Sequence, residues 1–366
     1  MMPTDVRVPF LSLTPGEDAD ALRAAVTRVI DRGWFILGPE LEAFEAEFAA
    51  AAGASHAIGV NTGTDALALL LRGLGIGPGD EVITAPLSAA YTGLAVMMAG
   101  ARPVFADIDP ERHTIDPAQV EAAVTPRTAA IMPVHLYGQA ADMTALAAIA
   151  ERHGLVLLED AAQAHLATCE GRPVGSFGMG AGFSFYPTKN LGALGDAGAI
   201  TTNDATLAAR LKRLRNGGQQ ATYQHDEFGV NSRLDEMQAA ILRERLQRLP
   251  RWTEQRRALA ARYRSQLAGA AVHVPREFDA GHVYHLFVVR TPERDALRAH
   301  MAEHGVQTLI HYPKALTEQP ALQSEAPAAC REAVRAAREV CSLPLYPSLS
   351  REAVDLVCDA VLAFRG

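Results

Sequence analysis

From about residue 55 onward the chain alternates short, nearly continuous apolar runs with stretches whose apolar residues recur at helical spacing. Residues 56–60 predict a strand, and residues 64–74 a helix directly after it. Residues 81–85, 103–106, 129–134 and 155–158 predict further buried strands, with helices over 89–99 and 143–153 between them. Strands that are apolar along their whole length and joined by helices imply a largely parallel sheet covered on both faces. Ligands of such sheets gather at the carboxyl ends of the strands, which directs the search for a site.

Residues 182–186 and 197–201 predict two more strands, the second antiparallel, before a helix over 205–215. Near residue 250 the pattern changes. An Arg-rich helix over 235–267, interrupted by Pro250, gives way to shorter units, among them a strand over 285–289 and a helix over 294–304. At 366 residues the chain is too long for one ordinary small domain. The expected class is α/β: a large domain over 1–248 on a mixed, mostly parallel sheet flanked by helices, and a smaller C-terminal α/β domain over 249–366.

Composition narrows the partners. The formal net charge of -8, with both signs interspersed, leaves no basic footprint for a nucleic acid. The longest apolar stretches, 66–71 and 94–99, fall far short of the roughly 18 residues that a membrane span needs. Asp5 and Arg7 stand early with no apolar core beside a cleavage site, so no signal peptide is read and the cytoplasm is the expected compartment. Cys169, Cys330, Cys341 and Cys358 are widely spaced and predict reduced, buried thiols; no metal site is expected from them or from the histidines. Lysine is scarce, with only Lys189, Lys212 and Lys314. Arginine cannot form a Schiff base, so each of the three is a candidate for that chemistry.

Three segments carry candidate chemistry. Asn61-Thr62-Gly63-Thr64-Asp65 follows a predicted strand and opens a predicted helix, whose N-terminus presents unpaired N–H groups and a partial positive charge suited to a phosphate. Gly63 lets the backbone approach closely, while Thr64 and Asp65 read equally well as ordinary caps. Glu159-Asp160-Ala161-Ala162-Gln163 ends an apolar strand. A carboxylate there, aimed at a pyridine nitrogen, would keep the nitrogen protonated and the ring an electron sink. Asp160 fits that role, or that of a helix cap or loop acid, and Gln163 could donate to a phenolate oxygen of the same ring. Phe183-Ser184-Phe185-Tyr186-Pro187-Thr188-Lys189-Asn190-Leu191-Gly192 runs from a strand end into a turn. A lysine walled by aromatics has a depressed pKa and a usable neutral amine, and Ser184 could give its hydroxyl to a phosphate. A surface cation is the plainer reading of Lys189.

These segments, in this order and together with Gly229-Val230-Asn231-Ser232-Arg233-Leu234-Asp235-Glu236, resemble the signature blocks of the sugar aminotransferase family called DegT/DnrJ/EryC1/StrS. The likeness extends from Gly38-Pro39-Glu40 to Pro344-Leu345-Tyr346-Pro347. It implies a fold-type-I enzyme dependent on pyridoxal 5'-phosphate, working as a homodimer with shared active sites. By the same resemblance Gly63, Thr64 and Ser184 hold the cofactor phosphate, and Asn231 of the partner subunit reaches it too. Asp160 pairs with the pyridinium nitrogen, Gln163 approaches the ring hydroxyl, and Lys189 forms the Schiff base. Relatives with histidine in place of the lysine dehydrate sugars, so Lys189 implies transamination. The implied reaction moves an amino group from an amino acid, glutamate, to a nucleotide-linked keto sugar.

The run from Ser184 to Gly195 and Ile310-His311-Tyr312-Pro313 resemble the branch acting on 3-keto-6-deoxy sugars carried by dTDP more than the 4-keto branch, which shares every cofactor residue. Tyr186, His311 and Tyr312 are then substrate candidates, the last two readable also as satisfied polar groups of the small domain. The chain departs from the family in two places. Residues 86–100 are one residue short, leaving Tyr91 as the nearest match to the aromatic that covers the cofactor ring, and Gly217 stands where relatives carry an aromatic. Asp107 and Asp109 predict a strand-end turn before Pro110 rather than a catalytic pair. A regulator or scaffold on the same fold could lose Lys189 or Asp160, and this chain keeps both.

Overall fold

The computed structural model describes residues 6–221, 223–322 and 329–365. Among them seven strands form one sheet: β1 (His56–Val60), β2 (Glu81–Thr84), β3 (Arg102–Phe105), β4 (Thr128–Met132), β5 (Val156–Asp160), β6 (Gly180–Ser184) and β7 (Gly198–Thr202). Their order across the sheet is β1-β7-β6-β5-β4-β2-β3. Strand β7 runs antiparallel to both neighbours, as its sequence predicts, and the pairings from β6 to β3 are all parallel.

Alternate residues of these strands feed two cores, which is why the strands read as continuous apolar runs. Ile83, Ile131, Leu157, Ala181 and Phe183 face one core. Val82, Ala130, Met132, Leu158 and Ile200 face the other, where they meet Leu67, Leu70 and Leu71. Those three lie on α3 (Gly63–Gly73), preceded by α1 (Ala19–Arg32) and α2 (Pro39–Ala51). Next come α4 (Ala90–Met98), α5 (Pro117–Ala123), α6 (Met143–His153), α7 (Ala205–Leu214) and α8 (Glu236–Leu246). Helices α1 and α2 precede the first predicted element. The start of α2 is held from far along the chain: the buried Glu236 carboxylate accepts from the N–H groups of Gly38, Glu40 and Leu41 at 3.0, 2.9 and 2.8 Å. A tie between residues so distant in sequence leaves no local signal.

The C-terminal part of the chain carries α9 (Leu249–Gln266), β8 (Phe287–Arg290), α10 (Arg294–Glu303), α11 (Arg331–Glu339), β9 (Val340–Leu343) and α12 (Arg351–Ala363), with β8 and β9 paired antiparallel and Ala333, Ala336 and Ala337 of α11 packed into the first core of the large sheet; the rest forms a smaller C-terminal domain. Tyr263 stacks on Phe287 at 4.7 Å inside its core, beside Leu297, Met301 and Val357. Val8 joins that core and bridges Val306, so the start of the chain returns to this domain. The single interrupted helix expected over 235–267 is two helices. They break at Gln247 and Arg248, and Pro250 falls in the first turn of α9, where a missing N–H breaks no helical bond.

Two strand ends differ from expectation in ways that matter for the site. Strand β5 continues to Asp160 instead of ending at 158. Strand β6 begins at Gly180 and ends at Ser184, because the backbone then folds into a tight loop closed by Lys189 N–H to Tyr186 C=O (2.8 Å) and Ala193 N–H to Phe185 C=O (2.7 Å). Asp109 makes the expected turn, accepting from the N–H groups of Glu111 and Arg112 at 2.8 Å. Asp107 also closes that turn, its C=O accepting from Asp116 N–H at 3.0 Å, and its carboxylate in addition caps α11, accepting from Glu332 and Ala333 N–H at 2.9 Å. The four cysteines are buried free thiols. Among the described residues no helix is long and apolar enough to cross a membrane.

Candidate active site

The carboxyl ends of β1, β5 and β6 meet at one edge of the sheet. Beyond β1, Thr62 rather than Thr64 is the N-cap of α3, its Oγ1 accepting from Asp65 N–H at 3.0 Å. Among the described residues no acceptor takes the N–H groups of Gly63 or Thr64. Ser184 lies directly against this turn, since a Cβ on Gly63 would sit 2.7 Å from Ser184 Cβ and 3.3 Å from its Oγ. Two open backbone donors at the positive end of a helix, with the hydroxyls of Thr64 and Ser184 beside them, make a cradle for a phosphate. Asp65 is not a cap either. Its carboxylate accepts from Ser232 Oγ at 2.7 Å, and Ser232 Oγ accepts from Asn61 N–H at 3.0 Å. That pair docks the segment after α7 beneath the cradle and leaves Asn231 exposed on the surface, bridged to Asn216.

Asp160 is buried at the end of β5. Its Oδ2 accepts from Thr92 Oγ1 at 2.7 Å and its Oδ1 from Ala162 N–H at 3.1 Å. Burial pushes its pKa up, and the two hydrogen bonds together with the Lys189 charge oppose that shift. A buried carboxylate held by neutral donors is suited to a cationic N–H from a ligand. Its neighbour Glu159 points elsewhere, accepting from Gly175 and Phe177 N–H at 2.9 Å and pairing with buried His135 at 3.1 Å.

Lys189 sits in the loop after β6, set back so that burial lowers its pKa to about 8, with Asp160 opposing the shift. The aromatic wall foreseen around it lies behind the loop: Phe183 and Phe185 pack edge-on against Phe48, with Phe185 also against Phe44. They fix the strand from which the lysine loop leaves. Buried His165 sits among the same rings, and burial lowers its pKa to about 3.

Gln163 lies one turn beyond Asp160, with Oε1 accepting from Tyr137 N–H at 2.7 Å and Nε2 donating to Tyr312 Oη at 2.9 Å. The structure therefore brings Tyr312 to Gln163. His311 bonds Ser342 Oγ through Nδ1 at 2.9 Å and stacks with Phe10 at 5.7 Å; burial lowers its pKa to about 4. Tyr186 is 52% exposed at the mouth of the lysine loop. Cavities of about 480 and 430 Å³ flank that loop, the first lined by Phe10, Thr188, His285 and His311, the second by Leu13, Lys189, Asn190 and Trp252. Neither includes the phosphate cradle or Asp160.

Sequence reasoning missed Thr92 and Tyr137. Thr92 stands in the short segment whose register the sequence did not fix, and Tyr91 beside it is 64% exposed. At Gly217 the backbone φ is 74° and at Gly218 75°, a left-handed conformation that glycine adopts without strain and an aromatic residue only at a cost.

The residues present fit pyridoxal phosphate: a helix-end cradle whose closeness requires glycine at 63, a buried carboxylate held by neutral donors, and a lysine with a lowered pKa stand at one sheet edge. The sequence matches the DegT/DnrJ/EryC1/StrS aminotransferase family over residues 17–362. The chain belongs to that family. It is 52% identical over 364 residues to dTDP-3-amino-3,4,6-trideoxy-alpha-D-glucose transaminase of Streptomyces venezuelae, a match covering 97% of this chain and 95% of that protein. Its structure is similar to the crystal structure of S. venezuelae DesV in complex with ketimine intermediate, with a TM-score of 0.95, 51% identity and 97% of each chain covered. It is also similar to NtdA of Bacillus subtilis with bound cofactor PMP, with a TM-score of 0.91, 34% identity, and 97% of this chain and 84% of that one covered. Fold-type-I architecture and pyridoxal phosphate-dependent amino transfer thus hold for this DegT/DnrJ/EryC1/StrS family member.

Proposed function

We propose that the protein moves an amino group from an amino acid, L-glutamate, to C3 of a 3-keto-6-deoxy sugar carried by a nucleotide, dTDP. The convergence of Gly63, Ser184, Asp160 and Lys189 at one sheet edge carries the amino-transfer part of this reading. Similarity to the Streptomyces venezuelae transaminase supports the sugar. When bound, pyridoxal phosphate supplies a carbonyl that accepts the amino group and a ring that takes up electrons. Gly63 and Thr64 N–H and the Ser184 hydroxyl would anchor its phosphate. Asp160 would hold the proton on its ring nitrogen, and Gln163 would direct an amide hydrogen at its ring hydroxyl. Lys189 would hold it through Nζ and, as a free amine, would move the proton at the donor carbon.

Tyr186, His311 and Tyr312 face the sugar. The working unit is a homodimer in the cytoplasm, in which exposed Trp34 and Phe35 supply apolar surface and Asn231 of the partner subunit completes the phosphate site. The domain boundary lies between residues 248 and 249, at the start of α9. Incubating the loaded enzyme with glutamate and either dTDP-3-keto-6-deoxy or dTDP-4-keto-6-deoxy sugar tests the regiochemistry. Mass spectrometry and NMR should find amine at C3 from the first substrate. Amination of the 4-keto sugar alone would overturn the substrate assignment.

A further inference from the structure

Tyr137 lies in the turn after β4 that spans Leu136–Gly138, 5% exposed, with a backbone φ of 60° that non-glycine residues rarely adopt. Such a conformation persists where surrounding contacts over-determine it. Here they do so from both ends of the residue. The backbone N–H of Tyr137 donates to Gln163 Oε1 at 2.7 Å, and its hydroxyl donates to the His311 carbonyl. Gln163 Nε2 donates to Tyr312 Oη at 2.9 Å, and Tyr312 is joined to His311 by their peptide bond. These contacts close a ring through Tyr137, Gln163, Tyr312 and His311.

The direction of each donor gives the ring its meaning. A backbone N–H can only donate, so the Gln163 amide is fixed with its oxygen toward Tyr137 and its NH₂ toward Tyr312. Tyr312 therefore accepts from Gln163 and keeps its own hydroxyl proton available to another acceptor. The rear of the Tyr137 ring is equally constrained. It meets His113 edge-on at 6.0 Å, Arg290 Nη1 lies 3.3 Å from His113 Nε2, and Arg290 pairs with Glu339 at 2.7 Å.

We infer that Tyr137 is a positioning residue that ties the ring-facing Gln163 to the sugar-facing His311–Tyr312 segment, so that its hydroxyl sets where the nucleotide-linked sugar is held. The inference rests on the proposed roles of Gln163, His311 and Tyr312. Tyr137 is buried behind Gln163 and His311, and it acts through these two groups, which it orients.

Tyr137→Phe keeps the ring and the backbone N–H and deletes only the bond to His311. In the loaded enzyme without substrate, amide hydrogen exchange across residues 309–314 is expected to accelerate, a readout independent of which sugar is accepted. The KM for the keto sugar should rise about five- to tenfold, the effect of one lost hydrogen bond, while the glutamate half-reaction keeps its rate and its absorbance change. Unchanged exchange at 309–314, or equal slowing of both half-reactions, would overturn the assignment. Gln163→Leu removes both the acceptor of Tyr137 N–H and the donor to Tyr312. It should loosen the same amides, and full protection of 309–314 in this variant would overturn the assignment as well.

Discussion

Thr92 donates its hydroxyl hydrogen to Asp160 Oδ2 at 2.7 Å, and Ser88 Oγ lies 2.9 Å from the same threonine oxygen. Asp160 is thus held from the first turn of α4, a helix far from β5 in sequence. Removing the hydroxyl leaves one carboxylate oxygen with no protein donor, and hydrogen bonds to charged groups are worth about 1.5–3 kcal/mol. Thr92→Val is expected to weaken cofactor binding and lower kcat by ten- to a hundredfold on that scale (~1.4 kcal/mol per decade), with Thr92→Ser retaining most of both. Steady-state kinetics with cofactor titration checks this.

Gly63 meets Ser184 too closely for any side chain, with a Cβ placed 2.7 Å from Ser184 Cβ. The clash falls on Ser184 Cβ and backbone Cα, so Gly63→Ala should lower the unfolding midpoint. It should also push Ser184 out of the cradle and raise the dissociation constant for pyridoxal phosphate by about tenfold, ~1.4 kcal/mol. Fluorescence titration of the cofactor-free protein separates the two effects.

Burial lowers Lys189 to about 8 from the ordinary lysine value of 10.5. Only the neutral amine attacks a carbonyl, so the rate of cofactor capture should rise with pH and level off with a midpoint near 8. The shift also carries a stability consequence. Between about 8 and 10.5 the unfolded chain holds a proton at this lysine that the folded chain has released, so the stability of cofactor-free protein rises with pH across that window. Lys189→Met should abolish that rise, as urea unfolding at pH 7 and pH 10 would show.

Glu236 caps α2 through three backbone N–H groups and is fully buried. Glu236→Ala would leave those donors without an acceptor, at a cost of about 3 kcal/mol. A lower denaturation midpoint, with the cofactor affinity of the remaining folded fraction unchanged, is the expected result.

Strands β1, β2, β4 and β5 were legible because burial on both faces makes each a short continuous apolar run. The positions of Asp160 and Lys189 at one edge of the sheet were legible because each follows such a run at its carboxyl end. Helices α1 and α2 escaped because α2 is capped by Glu236, nearly two hundred residues away. Thr92 and Tyr137 escaped for the same reason: a threonine in an alanine-rich segment and a tyrosine in a turn look ordinary until the fold sets them against Asp160 and Gln163. Asp107 has a second role that the local pattern does not show: besides closing its turn, it caps α11 more than two hundred residues away.

The most direct test of the account is the absorption spectrum of the protein loaded with pyridoxal phosphate, followed through successive additions of glutamate and dTDP-3-keto-6-deoxy sugar. If Lys189 holds the cofactor, visible absorption should form, glutamate should bleach it into the near ultraviolet and the keto sugar should restore it, while Lys189→Met should show none of these changes. A wild-type protein whose visible absorption never forms, or forms and does not respond to glutamate, would contradict the account.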